Sequence, residues 1–271
     1  MSASHAFQIA DAGPFPAALR RFRAARRMSQ LDLALTCDVS ARHLSFLESG
    51  RAQPSREMVL RLADGLLLPL GAQNSLLQAA GFAAAFPASP LDSEILGPFR
   101  AVLGEMIARH SPYPAMLCDR HWTLLDANPT ARALLAPLQD GPGPMNMVRM
   151  LAESPLAPAA IGNYLEILDE MTARLRLEAL EAGDDPVLRD LLEALEAAGD
   201  RHPHIARAAP RQPLAPLIMN TGGEPLRFLS TIAHFGTSED VTVRDLRLEL
   251  LFPADDHTRE AMVALARDLE A

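Results

Sequence analysis

The sequence contains no lysine: all 25 of its basic side chains are arginine. Every cationic site therefore presents a planar, bidentate donor rather than a compact point charge. Cysteine is nearly absent too. Cys37 and Cys118 are too few for a disulfide framework or a four-cysteine zinc site, and a reducing compartment is the expectation. No stretch holds the roughly 18 consecutive apolar residues of a membrane-spanning helix. Met1 to Gly13 show no basic leader followed by an apolar stretch, so no secretory signal is expected, and the expected location is the cytoplasm. The patterns G-x-S-x-G, H-E-x-x-H, G-x-G-x-x-G and the P-loop are all missing, which excludes the common hydrolase, zinc-protease and nucleotide-binding signatures. The reading is of a protein that is not an enzyme and needs no cofactor or metal. His202-Pro203-His204 sets two imidazoles close together without a third ligand at suitable spacing and reads as surface loop. Cys118 lies among apolar residues with no cationic neighbour in sequence to favour its thiolate, and reads as a buried structural thiol.

What is present fits a globular chain of two domains. Apolar residues make up 49% and charged residues 22% of 271, so a core can form. Acids outnumber bases 34 to 25, a net charge of -9, which taken globally argues against a nucleic-acid partner. The charge is not evenly spread. Residues 1 to 83 carry nine arginines and six acids, a net of +3, and the remainder carries -12. Such asymmetry marks a small basic unit on a larger acidic body. Prolines cluster at Phe86-Pro87-Ala88-Ser89-Pro90, where the helical pattern stops. The expected organisation is a head over 15–85, a linker over 86–98 and a second domain over 99–271.

The head reads as a train of short helices. Leu19 and Phe22 begin an arginine-dense amphipathic segment; Ser29, Ser40 and Ser55 stand where helix N-caps are wanted; Ser49-Gly50 offers a left-handed stop. Leu70 to Phe82 makes a fifth helix. The spacing is that of a helix-turn-helix: Ala34 allows close approach, Asp38 falls four later where a left-handed residue is needed, and Val39, Leu44 and Leu47 plug the joint. Glycine is usual at that turn, and aspartate is one of the few other residues that tolerates it. Arg42 is the preferred specificity residue, since arginine matches guanine in the major groove. The arginines at 20, 21, 23, 26 and 27 are weaker candidates for nucleic acid, and some of them read as pairing with the acidic second domain.

Ser29-Gln30-Leu31-Asp32-Leu33-Ala34, then Val39 through Arg51, then Pro54-Ser55, resemble the five-helix, lambda-repressor-like DNA-binding domain of the XRE (Cro/cI-type) regulators. The resemblance implies that Gln30 and Ser40 touch phosphate at helix N-termini, that Ala41, Arg42, His43, Ser45 and Phe46 lie on the DNA-facing helix, and that Arg51 and Arg56 run along the backbone. Helix N-termini do offer free N–H groups to phosphate.

Past the linker, Ile95, Leu96, Phe99, Val102, Leu103, Met106 and Ile107 recur at helical spacing. Ala115–Asp119 and Trp122–Asp126 read as short strands and Asn128-Pro129 as a helix start. Two longer helices follow, one on Ile161, Tyr164, Leu165, Leu168, Met171 and Leu175, the other on Val187, Leu188, Leu191, Leu192 and Leu195. Leu214–Asn220 and Leu226–Phe235 read as strands joined by a Gly222-Gly223 turn. Leu246, Leu248, Leu250 and Phe252 alternate as a strand with one buried face, and a last helix runs from about Asp255 to Leu269. The fold class is multidomain: an all-α head plus an α+β domain with an antiparallel sheet.

That order resembles a PAS-like sensor, an antiparallel sheet of about five strands with helices on one face around a cavity. More narrowly, Asp119-Arg120-His121-Trp122, Asp126-Ala127-Asn128, Asn146-Met147-Val148-Arg149, Phe235-Gly236-Thr237, Asp240-Val241-Thr242 and Phe252-Pro253-Ala254-Asp255 resemble the MmyB-like transcription regulators. The resemblance implies a ligand-responsive regulator that binds a double-stranded DNA operator, with an apolar, fatty-acid-like ligand in the second domain. Eight of the eleven methionines lie beyond residue 100, and methionine adapts to acyl chains of varied shape. The candidate ligand contacts are Met116, Trp122, Asn128, Met147, Arg149, Met150, Phe228 and Phe235. Of these, Arg149 has the chemistry to meet a carboxylate, and Asn128 reads more readily as fastening a turn. A homodimer is expected, because one head reads too short a site to be selective, with residues 94 to 110 carrying the ligand's effect. The alternative is an antitoxin-like, autoregulatory interaction protein whose second domain binds a protein partner; it would not need so large an acidic domain.

Overall fold

The computed structural model describes residues 14–139, 141, 143–182, 185–201 and 216–270. His202-Pro203-His204, the first residues of the strand expected from Leu214, and Met1 to Gly13 lie outside the described residues. Among the described residues two compact units are present, the first formed by residues 14–87 with 180–182, the second by 88–179 and the residues from 185 on.

The first unit, the head, is five helices: α1 (Pro14–Ala25), α2 (Gln30–Thr36), α3 (Ala41–Glu48), α4 (Arg56–Gly65) and α5 (Leu70–Ala79). Serine starts three of them. The Ser29, Ser40 and Ser55 hydroxyls accept the N–H groups of Asp32, His43 and Met58, and Asp32 returns a bond to the Ser29 N–H, closing a capping box. The turn between α2 and α3 is made by Asp38 at φ 50°, the left-handed conformation the spacing requires, and Gly50 at φ 73° stops α3. Leu19, Phe22, Leu33, Leu44, Leu47, Val59, Leu62, Leu76 and Leu77 form a fully buried core. It is drawn from all five helices, so no helix is stable without its neighbours.

The second unit, the body, begins at Ala88. The Ser89 N–H bonds Asp240, Leu91 packs on the core, and a 3-10 turn at Glu94–Leu96 runs into α6 (Gly97–Arg109). Then follow β1 (Ala115–Cys118), β2 (Leu124–Ala127), α7 (Pro129–Leu135), α8 (Met147–Glu153), α9 (Ala157–Ala160), α10 (Tyr164–Ala182), α11 (Pro186–Arg201), β3 (Leu217–Met219), β4 (Leu226–His234), α12 (Val241–Arg244), β5 (Arg247–Pro253) and α13 (Asp256–Glu270). The strands make one antiparallel sheet in the order β2-β1-β5-β4-β3. The long last strand therefore inserts between the first strand and the β3–β4 hairpin.

Four features depart from the sequence expectations. Trp122 is not in a strand: Asp119 accepts the N–H groups of His121 and Thr123, a tight turn that sets Trp122 at φ 62°. Ile161 stands before α10 and bridges to Met219 instead of continuing a helical stripe. The last strand is buried on both faces, Leu248 on one and Arg247 and Leu251 on the other, because side chains of helices lie over each face. Helices thus cover both faces of the sheet, where one covered face was expected. Leu103 and Ile107 of α6 lie against Ala115, Leu117 and Leu248, while α7 and α13 lie with Met116, Phe228 and Leu251 on the opposite face.

Candidate nucleic-acid interface and ligand face

In α3 the helical period divides the residues sharply. Leu44, Leu47 and Glu48 are buried; Ala41 and Arg42 are exposed; His43, Ser45 and Phe46 are half-buried at the edge. The Arg42 guanidinium lies 5.3 Å from the centre of the Phe46 ring one turn on, which braces it along the outer face without using its hydrogen-bond donors. Arg51 and Arg56 are exposed, before and at the start of α4. Ser40 caps α3 through its oxygen and keeps its hydroxyl hydrogen. Gln30 is held inward, its amide nitrogen donating to Glu48 at 2.6 Å.

Glu48 is the polar centre of the head. It is 2% exposed and receives Arg23 through Nε at 2.5 Å and Nη2 at 3.0 Å, while Arg20 donates to its backbone carbonyl at 2.8 Å. The Glu48 hydrogen bond raises Arg23 above its ordinary value, outweighing partial burial. Arg26 reaches the carbonyls of Leu66 and Leu67, tying the end of α1 to the end of α4. Three of the five arginines ascribed to nucleic acid or to pairing with the acidic domain are therefore fasteners inside the head. Sequence gave no sign of this, because an arginine that faces a buried acid from a neighbouring helix has the same helical spacing as one that faces water.

In the body, three of the expected ligand contacts converge. Met116, Met147 and Phe228 join Met145, Met219, Met262, Leu226 and Leu251 in one cluster on a single sheet face. Along that face the strands become polar. Ser230, Ile232 and His234 of β4 continue from Phe228, and Arg247 and Glu249 of β5 stand beside Cys118 and Met116 of β1. Arg247, 9% exposed, donates to the Asp119 carbonyl and to Glu178 of α10, and its buried Nε has no partner. Glu249 accepts the Ser230 hydroxyl at 2.6 Å, and burial pushes its carboxyl above the usual range. Burial, with Arg247 and Arg174 adding to it against Glu178, holds His234 below its ordinary value. Burial pushes the Cys118 thiol up to about 12, which suits the structural role read from its neighbours. The polar residues of this end escaped the sequence reading because they alternate with leucines, the pattern of a strand with a solvent face.

The other expected contacts go elsewhere. Asn128 is 2% exposed and fully engaged: its oxygen accepts from Ala115, Thr130 and Ala131, and its nitrogen donates to the Tyr113 carbonyl. It is a joint and offers nothing to a ligand. Trp122, 1% exposed, donates to Glu178 and is stacked by Arg247 at 4.9 Å. Arg149 bridges α8 to α11, bonding Glu153 and Asp190, so its guanidinium is occupied by the protein's own carboxylates. Met150 is half-buried on α8. Phe235 lies on the opposite sheet face, edge-on to Phe99 with ring centres 5.0 Å apart. Among the described residues, no group of three His, Cys, Asp or Glu side chains is placed to hold a metal ion, and no helix is long and apolar enough to cross a membrane.

Comparison with known proteins agrees with this division. Residues 19–71 match the helix-turn-helix family, and residues 99–265 match the ligand-binding domain of MmyB-like transcription regulators. Uncharacterized HTH-type transcriptional regulators of Mycobacterium bovis and Mycobacterium tuberculosis are similar to this chain, 42% identical over 64 residues, covering 24% of this chain and 25% of theirs. The likeness thus spans about a quarter of the length of those relatives.

Proposed function

Since the chain belongs to the MmyB-like transcription regulators, joining a helix-turn-helix head to that family's ligand-binding domain, we propose that it binds a specific operator as a homodimer and answers to a fatty-acid-like ligand held by a PAS-like body. α3 carries the DNA half of this reading. One of its faces is locked into the head by Leu44, Leu47 and Glu48, and the other presents Ala41, Arg42 and Ser45 as a rigid unit. Arg42 reads a base edge, Ser40 meets phosphate at the helix start, and Arg51 and Arg56 follow the backbone. Two heads bind half-sites about one helical turn apart, or a multiple of it. The protein works in the cytoplasm, where two buried thiols stay reduced.

The graded face of the sheet supports the ligand half. A methionine-rich apolar end around Phe228 accommodates a flexible chain. The end carrying His234, Ser230 and the unpartnered Arg247 Nε is suited to its polar head. Ligand changes DNA affinity only by preferring one arrangement of the dimer over another.

Two measurements test the two halves. Selection from randomised duplexes by the full-length protein should return a two-fold-symmetric site, bound with a steep salt dependence; recovery of no enriched sequence would remove the operator reading. Organic-solvent extraction of folded protein followed by mass spectrometry should release a molecule with an acyl chain and a polar end. A repeatedly empty extract would remove the lipid reading and leave the DNA reading standing.

A further inference from the structure

The helical stretch Glu94–Arg109 has two apolar stripes, and the fold uses only one. Leu96 is buried, and Leu103 and Ile107, with Phe99 beside them, are buried against β1 and β5. Ile95, Val102 and Met106, which the helical pattern alone would bury with them, are 77%, 52% and 38% exposed. They lie to one side of the packed stripe at the spacing 7 and 4, with Pro98 between and Arg109 next, the heptad-like seam that packs helix on helix. Val102 and Met106 stand on α6 itself, and Ile95 on the 3-10 turn that leads into it. A stripe of this kind in water is a contact waiting for a partner.

We infer that this stripe is the surface on which two copies of this chain meet, their α6 helices antiparallel about a two-fold axis at Val102. The inference rests on the homodimer reading above and gives it a location. Charge selects the partner and the direction. In an antiparallel pair centred on Val102, Pro98 of one copy faces Met106 of the other, Ile95 lies along the alkyl part of Arg109, and Glu94 falls beside Arg109. Symmetry repeats each contact, so the surface is self-complementary, as a two-fold interface must be. A parallel pair would set Glu94 against Glu94 and Arg109 against Arg109. Within its own chain Arg109 has a bond to Glu105 at 2.6 Å between two exposed side chains, a kind of pair that contributes little and yields easily to a second carboxylate.

Sedimentation velocity on the full-length chain tests this without DNA or ligand. The wild type should be a dimer in the micromolar range. Val102→Glu, which sets two carboxylates at the axis, should weaken the dimer by at least about tenfold, with no change in thermal unfolding when both proteins are compared at concentrations where they are monomeric, because Val102 is half outside the fold already. Glu94→Arg or Arg109→Glu alone should weaken it, and the two together should restore it. Val102→Cys should form a disulfide-linked dimer on mild oxidation, against a clean background because Cys37 and Cys118 are both buried. A wild-type dimer that Val102→Glu leaves intact, with no rescue by the charge swap and no crosslink, would overturn the α6 surface and leave the homodimer reading standing. A chain that stays monomeric at all concentrations would overturn both.

Discussion

The head and the body use the same cation for different ends. In the head, Arg20, Arg23 and Arg26 turn inward to Glu48 and to helix-end carbonyls, and Arg42, Arg51 and Arg56 remain outward around α3. In the body, Arg120, Arg149, Arg176 and Arg247 meet carboxylates of the chain itself. A net charge of +3 therefore leaves cations facing out, whereas an acidic body largely neutralises its own. The lesson is that net charge per unit shows which unit can bind phosphate, and the fold decides which of its arginines remain to do so.

Unfolding can be followed unit by unit, because Trp122 is the one tryptophan and its fluorescence reports the body alone. The largest effect should come from Trp122→Ala, which removes a buried side chain and leaves Glu178 and Arg247 without their indole neighbour. It should cost about 3-5 kcal/mol, seen as an earlier body transition by circular dichroism with the head transition unmoved. If the head melted with it, the two units would not be independent. Next is Glu48→Ala, which strands Arg23, expected to cost about 3 kcal/mol. Here circular dichroism should lose the head early while tryptophan fluorescence holds; a fluorescence midpoint that moved equally would sink the separation.

Arg42→Ala separates the outward arginines of the head from the inward ones. It should leave unfolding unchanged and cost about 1-3 kcal/mol of operator affinity at one base position. An equal loss on every sequence would reassign Arg42 to phosphate. The smallest effect is a pH dependence in the body. Burial raises the Glu249 carboxyl, so the folded state holds its proton more tightly than the unfolded state does. The stability this gives is complete below the ordinary glutamate value of 4.5 and is lost as pH rises through the folded value. Glu249→Gln, neutral throughout, should match the wild type near pH 4 and exceed it in body melting temperature near pH 8. A gap that is the same at both pH values would place the Glu249 carboxylate in free contact with water.

The head was legible nearly to the residue. Its information is local: three serine caps, Asp38 at the turn and leucines three or four apart mark where five helices start and stop, although their stability comes from the core they share. The body was legible in outline only. The strands were found, but neither the order that sends β5 into the middle nor the helices on both sheet faces, which overturn the expectation of one buried face. Among the motifs that carry the family resemblance, several turn out to be joints. Asp119 builds the turn under Trp122; Asn146 caps α8 and donates to the His121 carbonyl; Asp240 caps α12 and receives Ser89. Asn128 belongs with them, in keeping with its reading as the fastener of a turn. A cap between distant segments and a ligand contact call for the same polar residue types.

The sequence alone determined the two units, the helix-turn-helix and the family, because charge balance, caps and helical period act within a few residues of one another. Tertiary structure alone decided which arginines stay outward, which sheet face joins methionines to a polar end, and which stripe of α6 is left uncovered. Those outcomes depend on pairings between residues dozens to more than a hundred positions apart, such as Arg23 with Glu48 and Arg247 with Asp119. Periodicity gives the faces of an element and says nothing of what will lie against them.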